Sequence, residues 1–259
     1  MTASSDDVAQ RRKLALLREL VGTVGTDGLP IDSGVRAETE SALRELIGDP
    51  NGARDAGQWA SGAGVDLLTH TQWPAESPEL GVPFAGHLSR TELAEPGRAI
   101  ARLDGLGWSG GLEELFVGSD GELPVPTRRA AAQVLDSWPQ MRGAVEAVVA
   151  VRSTTRPILI GHLATGLARY LSVPLVGAVG PRAGHDAPTS QDDFPADRCA
   201  AVVKRLELQM NAPALAGLPG RRVLLVDDFT KSGWTLAIAA KLLRDAGAAA
   251  VYPFVLAIR

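Results

Sequence analysis

The sequence runs to 259 residues with a formal net charge of −4, from 26 Lys and Arg against 30 Asp and Glu. Hydrophobic residues at 45% and charged residues at 22% form an ordinary globular balance that excludes wholesale disorder, and the acidic excess excludes nucleic-acid binding driven by global charge. A single cysteine, Cys199, excludes an intrachain disulfide and a multi-cysteine zinc site.

In chain order, residues 1–64 read as a helical N-terminal segment and a flexible linker. A first helix is expected over 7–21, with Leu14, Leu17 and Val21 on one face, and a second over 36–47, stopped by Gly48-Asp49-Pro50. Ala60-Ser61-Gly62-Ala63-Gly64 has the composition of a linker. Residues 65–144 read as a turn-rich α+β accessory region. Trp73-Pro74, Ser77-Pro78 and Val82-Pro83 keep 66–88 extended, because a residue before proline avoids the α region. A short helix is expected over 96–106 with Ile100 and Leu103 inward, and Pro126 opens another that runs to Trp138. From 145 to 259 the alternation is regular. Strands are expected at 145–151, 173–179, 222–226 and 251–257, and helices at 158–171, 196–208 and 234–246, with a polar loop at 180–195. Alternation at these lengths predicts an α/β fold with a parallel sheet and helices on both faces.

The most informative segment is Val223-Leu224-Leu225-Val226-Asp227-Asp228-Phe229-Thr230-Lys231-Ser232-Gly233-Trp234-Thr235. Four apolar residues in a row suit a central strand buried on both faces. Two carboxylates follow at its C-terminal end, where ligands bind in open α/β sheets. A Thr-Lys-Ser-Gly turn then opens a helix whose amides converge into an anion site. Gly233 lets backbone approach a phosphate, and Thr230, Ser232 and Thr235 add hydroxyl donors. Asp227 and Asp228 would face the hydroxyl groups of a ligand or a Mg2+ ion, which prefers oxygen ligands. An isolated Asp-Asp more often ends a strand and caps a helix; the apolar run and the turn together favour a sugar-phosphate site.

Residues 223–235 resemble the signature for 5-phosphoribosyl 1-pyrophosphate (PRPP) of type I phosphoribosyltransferases, and the resemblance extends over 145–259, nearest to the ComF-like group. Gln191 and Arg198 occupy places that group uses in the loop before a helix. The resemblance implies that Asp227 and Asp228 contact ribose hydroxyls, that Lys231, Ser232, Gly233, Trp234 and Thr235 hold the 5′-phosphate with Thr230, and that Arg152, Ser153 and Arg156 bind pyrophosphate. It also implies Mg2+ at Asp227 and Asp228. The sequence departs from the pattern in three places. Lys231 replaces a common Thr, Arg156-Pro157 replaces Arg-Gly, and 180–195 lacks the Lys or Arg-Ser cluster of a catalytic loop, so binding is favoured over turnover. Trp73-Pro74, Glu95-Pro96-Gly97-Arg98-Ala99 and Leu103 to Trp108, followed by the signature, resemble the C-terminal region of bacterial RecQ-like DNA helicases over 70–259. Ala42 to Pro50 with Gly57-Gln58-Trp59 is similar to the entry of their adenine-recognising motif, while no Gly-x-x-x-x-Gly-Lys phosphate loop is present. The function this implies is a phosphoribosyl- or nucleotide-binding accessory domain of a DNA-repair helicase, without the motor. The alternatives are an active Mg-PRPP-dependent transferase and a DNA-contacting module.

Other candidates are weaker. His70, His87, His162 and His185 lack metal spacing, although His162 falls near the pyrophosphate turn. Cys199 reads as a buried small residue, the tryptophans as core, and Arg128-Arg129 and Arg221-Arg222 as solvated faces. No apolar run approaches the roughly 20 residues that span a bilayer, and the polar start MTASSDDVAQRRK lacks the apolar stretch of a secretory signal. A cytoplasmic location is expected.

Overall fold

The computed structural model describes residues 63–67, 69–75, 81, 86–103, 108–141, 144–184 and 194–259. The helices expected over 7–21 and 36–47, together with Trp59, His185 and Gln191, lie outside these residues. In chain order the elements are β1 (Val65–Leu67), β2 (Gly97–Arg102), α1 (Ser109–Val117), α2 (Val125–Ser137), a 3-10 turn (Pro139–Met141), β3 (Ala147–Val151), α3 (Pro157–Leu171), β4 (Leu175–Pro181), α4 (Pro195–Arg205), β5 (Leu206–Gln209), α5 (Ala212–Ala216), β6 (Arg222–Thr230), α6 (Trp234–Asp245) and β7 (Ala250–Ile258).

The seven strands form one sheet in the order β1-β2-β7-β6-β3-β4-β5. Its interior pairs, from β2 to β4, are parallel, and the two edge pairs, β1 with β2 and β4 with β5, are antiparallel. The central strands β3 and β6 carry the unbroken apolar runs, with Ala147 to Val149 and Val223 to Val226 fully excluded from solvent, as a sheet covered on both faces requires. Alternation along β6 divides its side chains between two cores. Val223 and Leu225 meet Cys199 and Val202 of α4 and Leu236 and Leu243 of α6. Leu224 and Val226 meet Leu112 of α1, Val134 of α2 and Leu159 of α3. Cys199 is buried, as expected for a small core residue.

The structure corrects several local readings. Residues 97–102 form a strand rather than the helix expected over 96–106, and Ala99, Ile100 and Ala101 are buried on both of its faces. The helix expected to reach 208 ends at Arg205, where the chain turns directly into β5. Strand β6 continues four residues past Val226, because Asp227, Phe229 and Thr230 stay in register with Val255, Ala257 and Ile258 of β7. The pure parallel sheet gains antiparallel edges. Gly64, read as the end of a linker, is packed instead: its φ is 66° and an added Cβ would sit 2.2 Å from the Ala99 carbonyl oxygen.

The stretch after β1 is fastened to α6. The Lys241 ammonium lies 3.2 Å from Glu92 and 2.9 Å from Asp245, and Arg244 donates to the carbonyls of Arg90 and Thr91 at 2.8 and 3.2 Å. The helix that opens at the acidic turn is thus held from outside as well as from the core.

Candidate functional site

Adjacent parallel strands β3 and β6 end at the same edge of the sheet. Each runs through a short turn into a helix: residues 152–156 lead to α3, and 231–233 lead to α6. Crevices at the carboxyl ends of parallel strands are where open α/β sheets bind ligands.

The turn after β6 presents backbone donors at the start of a helix. Gly233 sits in the left-handed region with φ 74° and starts α6, a conformation open to glycine at no steric cost. Its amide donates to Thr230 Oγ1 at 3.1 Å, which pins the turn to the strand. Among the described residues no hydrogen bond engages the amides of Lys231, Ser232, Trp234 or Thr235. These donors converge at the positive end of a 12-residue helix, the ordinary setting for a phosphate. Lys231 is exposed beside them, and Ser232 and Thr235 are half-buried. Replacing Gly233 by Ala is expected to cost about 1–2 kcal/mol through the left-handed backbone and to weaken phosphate binding in the same variant; a thermal melt and a phosphate titration check the pair of effects.

Asp227 and Asp228 are buried, at 6% and 8% exposure. Burial raises the Asp227 carboxyl well above its ordinary range, and the neighbouring Asp228 charge raises it further. Burial also raises Asp228, against the opposing effects of a hydrogen bond from Asp227 and of the Arg156 charge. The Asp228 amide donates to Asp227 Oδ1 at 2.9 Å. The charge of Arg205 opposes the rise at Asp227, as that of Arg156 does at Asp228. The Nε atoms of both arginines are buried without a hydrogen-bond partner.

Such a pair suits neutral hydroxyl groups, which can both donate to and accept from it. A protein-built Mg2+ cage fits less well. Burial disfavours the charged carboxylates that the ion needs, and among the described residues there is no cluster of three or more His, Cys, Asp or Glu. Mg2+ characteristically keeps waters and takes one or two carboxylates plus ligand phosphate oxygens. The residues thus fit an ion carried in on a phosphorylated ligand.

The remaining candidates sit as follows. Trp234 is 4% exposed, and its ring stacks on His70 at 3.6 Å with planes 5° apart. Its indole belongs to the core, so only its amide serves the turn. Ser153 Oγ accepts the Arg156 amide at 2.9 Å. Arg156 donates to the Phe116 carbonyl and lies 5.3 Å over that residue's ring. Arg152 is exposed and donates to Gln209 Oε1 at 3.1 Å. His162 Nδ1 accepts the Leu123 amide at 2.8 Å, a packing role. Trp73 and Trp138 are buried, whereas Arg128 and Arg129 are exposed.

Three residues at this edge were given no part in the site by the sequence reading, which considered His70 only as a metal ligand. The His70 Nε2 donates to the Ser232 carbonyl at 2.5 Å; burial lowers its pKa despite that bond, so the ring is neutral and its Nε2 carries the proton. Asp120 accepts the amides of Ile158 and Leu159 at 2.8 and 2.9 Å. The Arg205 charge opposes the rise in the Asp227 pKa. All three act across long stretches of chain, and no local pattern marks them.

The family model described as the phosphoribosyl transferase domain matches residues 128–257, half of the chain. The chain belongs to that family. Among solved structures it is similar to a purine phosphoribosyltransferase from Pyrococcus horikoshii Ot3, at 13% identity and a TM-score of 0.35, over 55% of this chain and 89% of that one. It is also similar to an adenine phosphoribosyltransferase, at 16% identity and a TM-score of 0.34, over 57% of this chain and 89% of that one. No curated protein matches the sequence. No described helix is long and apolar enough to cross a membrane.

Proposed function

We propose that the chain binds a ribose 5-phosphate unit, free or within a nucleotide, with the phosphate on the amides of Lys231, Ser232, Trp234 and Thr235 and the ribose hydroxyls on Asp227 and Asp228. The carrying observation is the set of unengaged amides at the start of α6 beside a buried acid pair. Lys231, Ser232, Thr235 and the Trp234 amide supply the phosphate shell, and the Gly233–Thr230 hydrogen bond fixes the turn that presents it. The binding unit is the α/β region 145–259 together with the accessory region 65–144. It serves a cytoplasmic RecQ-like DNA helicase acting in DNA repair, orienting or regulating a motor that lies outside this chain. In support, Gly97, Arg98 and Ala99, which carry part of that resemblance, open β2 beside β7.

The residues do two things to such a ligand. The turn orients the phosphate, and the acid pair distinguishes a polyhydroxyl sugar from a bare phosphate. Calorimetric titration tests both. Ribose 5-phosphate is expected to bind at least tenfold more tightly than inorganic phosphate, and Asp228→Asn is expected to erase that margin while leaving phosphate binding in place. Equal affinity for the two ligands in the unmodified protein refutes the assignment of the acid pair.

A second reading, an active transferase using Mg2+ and PRPP, draws support from the arginine-bearing loop 152–156 at the same sheet edge. It predicts pyrophosphate release when PRPP, Mg2+ and a base are supplied together.

A further inference from the structure

The peptide between Ser232 and Gly233 is held at both ends by side chains. Its N–H donates to Thr230 Oγ1 at 3.1 Å, and its carbonyl accepts from His70 Nε2 at 2.5 Å. Together the two bonds fix which way this peptide plane faces. Gly233 follows with φ 74° and ψ −9°, the angles of the third residue of a type II turn. The commoner type I turn differs by a half-rotation of the central peptide, and it brings that residue to a negative φ that most residues adopt. Glycine permits both orientations, so contacts choose between them.

The Thr230 hydroxyl does not discriminate, because it can accept an N–H or donate to a carbonyl. The His70 ring does. It presents an N–H to the Ser232 carbonyl, and a rotated peptide would set N–H against N–H. To tolerate that, the ring would have to move its proton to Nδ1. The space beside it is lined largely by apolar side chains, among them Leu67, Leu88, Ala94 and Leu236, a poor setting for another N–H. Rotation would also turn a carbonyl to where an N–H now points, next to the amides assigned to the phosphate. A peptide dipole reversed beside an anion opposes its binding.

His70 lies outside the residues that match the family model, 128–257. It arrives on a stretch tied to the rest of the accessory region, where the Trp73 amide donates to the Gly86 carbonyl at 2.8 Å and the Leu88 amide to the Thr71 carbonyl at 2.9 Å. Its ring is stacked on the Trp234 indole. The same region grips the far end of α6 through Glu92 and the carbonyls of Arg90 and Thr91.

We infer that the Ser232–Gly233 peptide is a two-position element, and that His70, supplied by the accessory region, is the positioning residue that keeps it in the phosphate-binding orientation. Undocking residues 69–73 would lower phosphate affinity without removing a single ligand contact, which makes the accessory region a regulator of the site. The inference rests on the ribose-phosphate reading above and deepens it.

The test is a double-mutant cycle on ribose 5-phosphate affinity in the full chain, with melting curves to show that each variant folds. His70→Ala should lose tenfold or more. His70→Gln, whose amide can donate to the same carbonyl, should recover to within threefold of the unmodified protein. Gly233→Ala favours the rotated peptide by itself, because alanine avoids positive φ, and should also lose tenfold or more. Since both act on one peptide, adding His70→Ala to Gly233→Ala should cost less than a further threefold. A double variant whose loss is the product of the two single losses overturns the inference, and so does a folded His70→Gln protein that binds no better than His70→Ala; the ribose-phosphate reading survives either result. Failure of the unmodified protein to bind ribose 5-phosphate overturns both.

Discussion

Replacing Trp234 by alanine is expected to cost about 3–5 kcal/mol, the range for removing a large aromatic from a packed core, and to lower the melting temperature by about 10 °C. The indole is the first residue of α6 and is 4% exposed. It lies against His70 at 3.6 Å and near Trp73 at 6.1 Å. Its loss would remove the ring that both pack against, which is also the floor beneath the turn 231–233. His70→Ala should behave differently. It deletes one stacking face and the 2.5 Å bond to the Ser232 carbonyl, so about 1–2 kcal/mol of stability goes, while phosphate affinity falls out of proportion because Ser232 is released. Trp234→Phe should restore most of the lost stability. Melting curves for the three variants with a phosphate titration separate core packing from turn positioning. A Trp234→Ala protein that melts within 2 °C of the unmodified chain, roughly the shift for half a kcal/mol, would contradict the buried role.

What the sequence could reveal followed from how local the physics is. Strand β6 and the turn into α6 were legible because a run of four buried apolar residues, two acids and a glycine-containing turn all lie within thirteen consecutive positions. The parallel interior of the sheet was legible for the same reason: β3, α3, β4, α4, β6, α6 and β7 each carry their own pattern. Strand β2 was not. Ile100 and Leu103 stand three residues apart, which imitates a helix, and burial of Ala99, Ile100 and Ala101 removes the alternation that would have marked a strand. The end of β6 was placed too early because polar residues normally leave a central strand. Here Asp227 and Asp228 remain inside it, and their ionisation is what gives way.

The site was half legible. Its phosphate turn is a local object, whereas its supports are contacts between distant segments. His70 reaches Ser232 across 162 positions, and Asp120 reaches Ile158 and Leu159 across 38 and 39. Arg152, Ser153 and Arg156 were picked out by their place in a motif. The fold brings them to the sheet edge that also carries the 231–233 turn, but it gives each of them a partner within the protein. Motif position tells where a side chain starts; only the neighbours tell whether it is available.

Asp227→Asn is expected to stabilise the unliganded protein at neutral pH by about 1–2 kcal/mol, the scale on which proteins are penalised for an imperfectly satisfied buried polar group. Burial and the Asp228 charge raise the Asp227 carboxyl well above its ordinary value of 3.8. The sign follows from linkage. A carboxyl whose folded value is raised contributes stability that is complete below the unfolded value and is lost as pH rises through the folded one. Asparagine cannot ionise, yet it keeps the Oδ1 acceptor that takes the Asp228 amide at 2.9 Å. The variant should therefore melt above the unmodified protein at pH 8, with the margin shrinking as the pH approaches 4. Ribose 5-phosphate affinity should move the other way, by tenfold or more, since a hydrogen bond to a charged group contributes about 1.5–3 kcal/mol. Opposite changes in stability and affinity from one substitution are the mark of an acid kept buried for its ligand, and melting curves at several pH values with one calorimetric titration decide it. A variant less stable than the unmodified chain at every pH would show instead that the carboxylate is structural and that Arg205 more than compensates its burial.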